Sequence, residues 1–351
     1  MPLNIWFNKS FSVTYNLLTL IRHGDPARQL HLFASHSVEN AMARLAADTW
    51  HVEPELSGQD YVDWCLRFCR EHAIDLFVPG KATINIAYRV DEFLAQGTRV
   101  LLCADADNLV LLDQKARFSA AVDPALTPTA ETVEIKNLAE FDAAYSQLRT
   151  RHARLCLKPS VSVFGLGFRM LDEERDALQH VLAGEEQMLN LAELRRAMQD
   201  KEDCKPSLLL MEFLGGDEWS VDCLAEHGAL LYSVQRRKTG VLSAPQQLDN
   251  HAGIAAMCVC LSEQFKLNGL FNIQFREGAH GIRVLEINAR PSGGVPLACA
   301  AGVNLPYQAV VRALSEEDRA GFDLPDAASC PLPYGIFLHQ TMLPGLLDVP
   351  A

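Results

Sequence analysis

Short apolar runs alternate with amphipathic stretches from the first residues of the chain. Residues 4–7 predict a strand, and 12–22 a helix that stops at Gly24, with Pro26 just beyond. The pattern recurs: 30–34 is strand-like, 61–72 is an amphipathic helix, and 74–79 is a short apolar strand ending at Gly80. A further helix over 83–96 leads through Gly97 into a strand at 99–103. Strands alternating with helices imply a parallel sheet wrapped by helices over roughly the first 110 residues. The first turn, residues 8–12, contains no glycine. A dinucleotide pyrophosphate needs glycines there to approach the backbone, so NAD and FAD are excluded from this sheet.

From Thr127 the texture changes to the strand-like TAETVEI, a helix over 138–149, and a strand at 155–158 that opens into SVSVFGLG. This predicts a separate small α+β unit. Residues 172–205 are charged and helix-prone. Strands follow at 208–214, 219–226 and 230–236, then a helix over 250–266 and two strands at 270–276 and 282–287. The proline-rich end, residues 321–351, is expected to be an irregular covering tail.

Composition narrows the function classes. At 351 residues the chain exceeds what one hydrophobic core fills, so two or three units are expected. No segment approaches the ~20 apolar residues that span a bilayer, and the first residues carry no framed leader, so a cytoplasmic protein without a membrane partner is expected. A formal charge of -13 opposes binding to phosphate backbones and excludes nucleic acid as the expected partner. The ten cysteines are scattered, Cys65/Cys69 and Cys258/Cys260 being the close pairs. Without a C-x-x-C framework they read as small buried thiols.

Residues 271–294, FNIQFREGAHGIRVLEINARPSGG, carry the clearest chemistry. They read as a hairpin followed by a polar loop. Alternate side chains of a strand share a face, so Gln274 on one strand and Glu286 and Asn288 on the next can point three oxygen ligands into one site. Magnesium is held by one or two carboxylates plus substrate phosphates, so this set is chemically sufficient. Arg290, two residues further along, is suited to stabilising charge on a transferring phosphoryl group. The same letters also suit an ordinary half-buried hairpin with solvated polar residues.

Continued through VPLACAAGVNLPYQAVVRAL, this run resembles the metal-binding hairpin and following helix of ATP-grasp enzymes, and is especially similar to carbamoyl-phosphate synthetase large subunits. The resemblance implies a fold class: a Rossmann-like parallel sheet (pre-ATP-grasp domain, 1–110) followed by a two-lobed α+β ATP-grasp domain (111–320). A small mobile lobe would span about 125–205 and a magnesium-bearing core lobe about 206–320. It also implies two magnesium ions, one on Gln274 and Glu286 and one on Glu286 and Asn288, with manganese able to substitute, and Arg290 on phosphate. The segment LLMEFLGGDEWSVD resembles the family's hinge strand. By that match Glu212 accepts from the adenine amino group, the backbone of Phe213 and Leu214 meets the ring edge, and Glu218 holds the ribose hydroxyls.

Two lysines are then expected on the α and β phosphates, matched by Lys115 and Lys158, with the Gly165/Gly167 loop closing over them in an atypical, glycine-poor form. Among Arg236, Arg237 and Lys238 at least one is expected near the γ-phosphate or a substrate carboxylate. The resemblance implies an ATP-dependent carboxylate–amine ligase working through an acyl phosphate. Its partners would be small-molecule carboxylate and amine substrates, amino-acid-like in view of Pro291-Ser-Gly-Gly294, in a chain for which a homodimer is one assembly. Carbamate or bicarbonate phosphorylation, and a non-catalytic ATP-binding regulatory protein, are the alternatives.

Overall fold

The structure, a computed structural model, describes residues 2–9, 13–161, 166–238, 245–325 and 332–338. The chain divides into two compact units. Unit 1 comprises Met1–Val110, Asp217–Phe275 and Ile287–Ala351, and unit 2 comprises Leu111–Gly216 and Arg276–Glu286.

Unit 1 opens with β1 (Leu3–Phe7), β2 (Leu30–His36), β3 (Thr49–Val52), β4 (Leu76–Val78) and β5 (Arg99–Val100). They form an all-parallel sheet in the order β3-β2-β1-β4-β5. Strands covered on both faces read as continuous apolar runs, and β1 shows why. Ile5 and Phe7 join Leu18, Ile21, Leu30 and Leu32 on one face, while Trp6 joins Phe33, Phe68 and Phe77 on the other. The Trp6 ring stacks on Phe68 and on Phe77, each at 4.2 Å between centroids. Losing such a buried aromatic costs about 3–5 kcal/mol.

The expected helix over 83–96 is two helices, Thr83–Ala87 and Val90–Ala95. Arg89 leaves the helical conformation at φ -125° between them, and its guanidinium meets Asp63 at 2.6 Å and Glu92 at 2.6 Å. The expected strand at 99–103 keeps only Arg99–Val100. Leu101, Cys103 and the Leu102 carbonyl bond singly to Phe77 and Asn268, so the run does not continue as a ladder. Strand β3 lies at the sheet edge, and its partly exposed TWHV has no alternation to announce it.

Unit 2 contains β6 (Thr132–Ile135), β7 (Leu155–Pro159), β8 (Arg169–Asp172), β9 (Met188–Asn190) and β10 (Leu208–Glu212), in the order β6-β10-β7-β8-β9. All pairs are antiparallel except β8 with β9. The helix Leu138–Arg149, where the sequence predicts one, is capped by Asn137, whose side chain accepts from the Glu140 N–H. Its Phe141, Ala144 and Leu148 pack with Leu155, Leu157 and Leu210. The charged stretch 172–205 holds two helices, Ala177–Ala183 and Leu191–Gln199, divided by β9.

The third sheet is β11 (Glu218–Glu226), β12 (Ala229–Lys238), β13 (Gln246–Asp249), β14 (Gly269–Gly278), β15 (Gly281–Asn288) and β16 (Phe337–Leu338), in the order β15-β14-β11-β12-β13-β16. Within unit 1, Leu17 of the helix Thr14–Gly24 packs with Leu224, Tyr232, Leu248 and Leu270 of this sheet. Most of the expected tail, including residues 339–351, lies outside the described residues. Nine described cysteines are free, and Cys65, Cys69 and Cys258 are buried as small apolar groups. Among the described residues, no helix is long and apolar enough to cross a membrane.

Candidate active site

Unit 2 gathers three charges that are remote in sequence. Lys115 begins the helix Lys115–Ala121, Lys158 lies near the end of β7, and Glu286 lies on β15. Lys115 Nζ stands 3.1 Å from Glu286 Oε2, both side chains partly exposed. Burial lowers the Lys158 pKa, the Lys115 charge lowers it further, and Glu286 pulls it back up. Two ammonium groups thus act on one carboxylate, Lys115 by direct contact and Lys158 through its charge. Beyond Lys158, Gly167 has φ +79°, and a Cβ there would lie 2.7 Å from Pro159 Cδ, so only glycine fits. Gly165 lies outside the described residues.

The hinge residues bond to neighbours within unit 2. The Glu212 side chain is buried: Oε1 accepts from the Glu131 N–H at 3.0 Å and lies 3.5 Å from Arg283 Nε, and Oε2 lies 3.5 Å from His152 Nδ1. The Glu212 carboxylate is thus taken up by the Glu131 N–H, His152 and Arg283. The Phe213 N–H donates to the Arg154 carbonyl at 3.0 Å, which removes it as a donor to a ring edge. The Leu214 side chain is buried with Ala130, Cys156 and Met211.

In unit 1, Glu218 pairs with Lys238 across the β11–β12 ladder at 2.7 Å. Arg237 meets Asp217 at 3.5 Å and donates to Gln247 at 2.5 Å. Arg236 is locked inside. Its side chain is 2% exposed, donates from Nε and Nη2 to Asp222 Oδ2 at 2.9 and 2.7 Å, and also reaches Ser220, Gln246 and Ser292. Of the basic triplet, Arg236 is therefore a structural cation, whereas Arg237 and Lys238 remain partly exposed.

Asp222 Oδ1 accepts from Ser292 Oγ at 2.6 Å and from Asn272 Nδ2 at 3.0 Å. This network ties the loop after β15 to the sheet. Its signal in the sequence is an aspartate, Asp222, in the middle of the largely buried β11, which a buried cation must balance. A Cβ on Gly294 would lie 2.3 Å from Arg236 Nη1, so that glycine answers to the guanidinium beside it.

Gln274, Glu286, Asn288 and Arg290 are all half-buried. Glu286 and Asn288 share a face of β15, and Arg290 Nη2 lies 3.4 Å from Asn288 Oδ1. Among the described residues, no group of three or more His, Cys, Asp or Glu could hold a metal. The donor set fits magnesium in the form that keeps water and phosphate oxygens in most positions, with one carboxylate and neutral oxygens from the protein.

The family described as "ATP-grasp in the biosynthetic pathway with Ter operon" matches residues 204–327. No curated protein matches the chain by sequence. Among solved structures, pyruvate carboxylase from Rhizobium etli is similar at TM-score 0.65 and 15% identity, with 95% of this chain covered but only 30% of that one. N5-carboxyaminoimidazole synthetase from Staphylococcus aureus, complexed with ADP, gives TM-score 0.65 at 10% identity, with coverage of 93% and 79%. The biotin carboxylase domain of 2-oxoglutarate carboxylase from Hydrogenobacter thermophilus, in complex with MgADP, ADP and bicarbonate, gives 0.62 at 14%, with coverage of 90% and 71%. A parallel sheet followed by mixed and antiparallel sheets, shared over nine-tenths of the chain with these structures and joined to the matched segment, is the ATP-grasp fold, and this chain has it.

Proposed function

We propose that this protein is an ATP-dependent ligase that activates a carboxylate as its acyl phosphate and joins it to an amine. The observation that carries the reading is the cluster of Lys115, Lys158 and Glu286 in unit 2. Phosphate would take the place of Glu286 beside Lys115, and Lys158 would meet the same anion. Glu286 is the carboxylate that would hold the cation. Magnesium, when bound there, neutralises charge developing on the transferring phosphoryl group. Arg290 would meet the substrate carboxylate and the acyl phosphate it becomes, and the Asp222–Arg236–Ser292 network fixes the loop that follows it.

Bicarbonate as the acid is a second reading, favoured by the similarity to the structure complexed with bicarbonate. ADP release in a screen of acids and amines tests both. Hydroxylamine in place of the amine should trap a hydroxamate, and oxygen-18 should pass from the acid into phosphate. Acid-dependent ADP formation without oxygen transfer would refute acyl-phosphate chemistry.

A further inference from the structure

Unit 1 contains an apolar pocket of about 60 Å³ at the carboxyl ends of its parallel strands. Phe7 ends β1, Val78 ends β4, and Leu101 and Leu102 follow β5. In the order β3-β2-β1-β4-β5 the chain turns away in opposite directions between β1 and β4. Ligands of open α/β sheets bind at such a switch point, outside the carboxyl ends of the strands. Leu17, Ile21 and Ala309 line the interior, and Arg290 and Pro291 also border the pocket. Among the described lining residues Arg290 is the only charged one.

We infer that this pocket takes the acid substrate, and that the acid is a short aliphatic carboxylate. The inference rests on the ligase reading above and names the acid that the ligase activates. An anion with an apolar body matches one guanidinium beside hydrocarbon walls. An α-ammonium would find no carboxylate among the described lining residues, and leaving it unpaired there is costly. An amino-acid-like substrate therefore enters as the amine. The volume is less than half of the roughly 150 Å³ that holds a benzene ring, so about three carbons fit and an aromatic ring does not. The wall at Pro79–Gly80 is pinned. Asn8 Oδ1 accepts from the Gly80 and Lys81 N–H groups at 2.6 and 3.2 Å, and Asn8 Nδ2 donates to the Tyr61 hydroxyl at 3.0 Å. A pinned wall discriminates by size.

The test is titration calorimetry of the full chain with acetate, isobutyrate, phenylacetate and valine, in the presence of magnesium and a non-hydrolysable ATP analogue. Isobutyrate should bind at least ~10-fold tighter than the other three. Ala309→Leu, which fills the pocket, should weaken isobutyrate at least ~10-fold while analogue affinity is unchanged. Leu102→Ala, which enlarges it, should move the preference toward phenylacetate, a gain that loss of fold cannot produce. Equal affinities across the series, or a preference that neither variant alters, would overturn the inference. The two readings fail separately. Isobutyrate binding without ADP formation from ATP sinks the ligase and leaves the pocket assignment standing. ADP formation with polar or aromatic acids, unaffected by either variant, sinks the pocket assignment and leaves the ligase.

Discussion

Removing the Arg236 guanidinium should cost this protein more than removal of any exposed cation, because the charge it balances cannot reach water. Asp222 is 0% exposed and Arg236 2%. In Arg236→Ala the Asp222 carboxylate keeps its bonds from Ser292 and Asn272 but loses both guanidinium bonds. Breaking a buried pair from one side costs about 3–5 kcal/mol. At about 2–4 °C per kcal/mol for a domain of roughly 150–250 residues, the melting of unit 1 should fall by about 6–20 °C. Asp222→Ala should cost a similar amount. The double variant is the decisive one: with no orphaned charge left, its loss should stay well below the sum of the single losses, by about 1–3 kcal/mol. Urea denaturation of the four proteins, followed by near-ultraviolet circular dichroism, measures the cycle. Additive losses, or an Arg236→Ala protein within about 0.5 kcal/mol of the parent, would show that the pair is not the buried link described here.

Three further outcomes follow from the same geometry. Glu286→Gln should fold normally and lower acid-dependent ADP release at least ~100-fold, because its charge is needed by metal and phosphate together; near-normal turnover would remove Glu286 from the mechanism. Gly294→Ala should destabilise by about 1–3 kcal/mol, since the added carbon meets a guanidinium held by four partners, whereas Gly293→Ala, with nothing within 4 Å, should be nearly neutral. Equal melting temperatures for the two glycine variants would contradict that crowding. Burial and Lys115 hold the Lys158 pKa below the ordinary 10.5, so between the two values the unfolded chain binds the extra proton and this residue's contribution to stability rises with pH. Lys158→Met should therefore melt above the parent near neutral pH, with the gap closing by pH 10.5, and should bind the ATP analogue more weakly; a lower melting temperature at neutral pH would show that the lysine is held favourably.

The elements were legible in the sequence where burial is one-sided or complete. β1 and the helix Leu138–Arg149 follow from apolar spacing, which is a property of a few neighbouring residues. The alternation along residues 282–288 likewise placed Glu286 and Asn288 on one face before any fold was known. Contacts between residues far apart in the chain were not legible. That Lys115 stands 3.1 Å from Glu286, that Glu212 is absorbed by Glu131, His152 and Arg283, and that Arg236 is a buried counter-ion are all long-range facts. A basic triplet looks the same in sequence whether its members face solvent or core. Strand pairing decides which face each takes: Arg236 stands opposite Ser220 in the β11–β12 ladder and reaches Asp222, while Arg237 and Lys238 meet Asp217 and Glu218 at the exposed end. Local periodicity, set by backbone geometry, is thus written in the sequence, whereas the partner of each charge is decided only when the chain closes its long loops and takes the charge out of water.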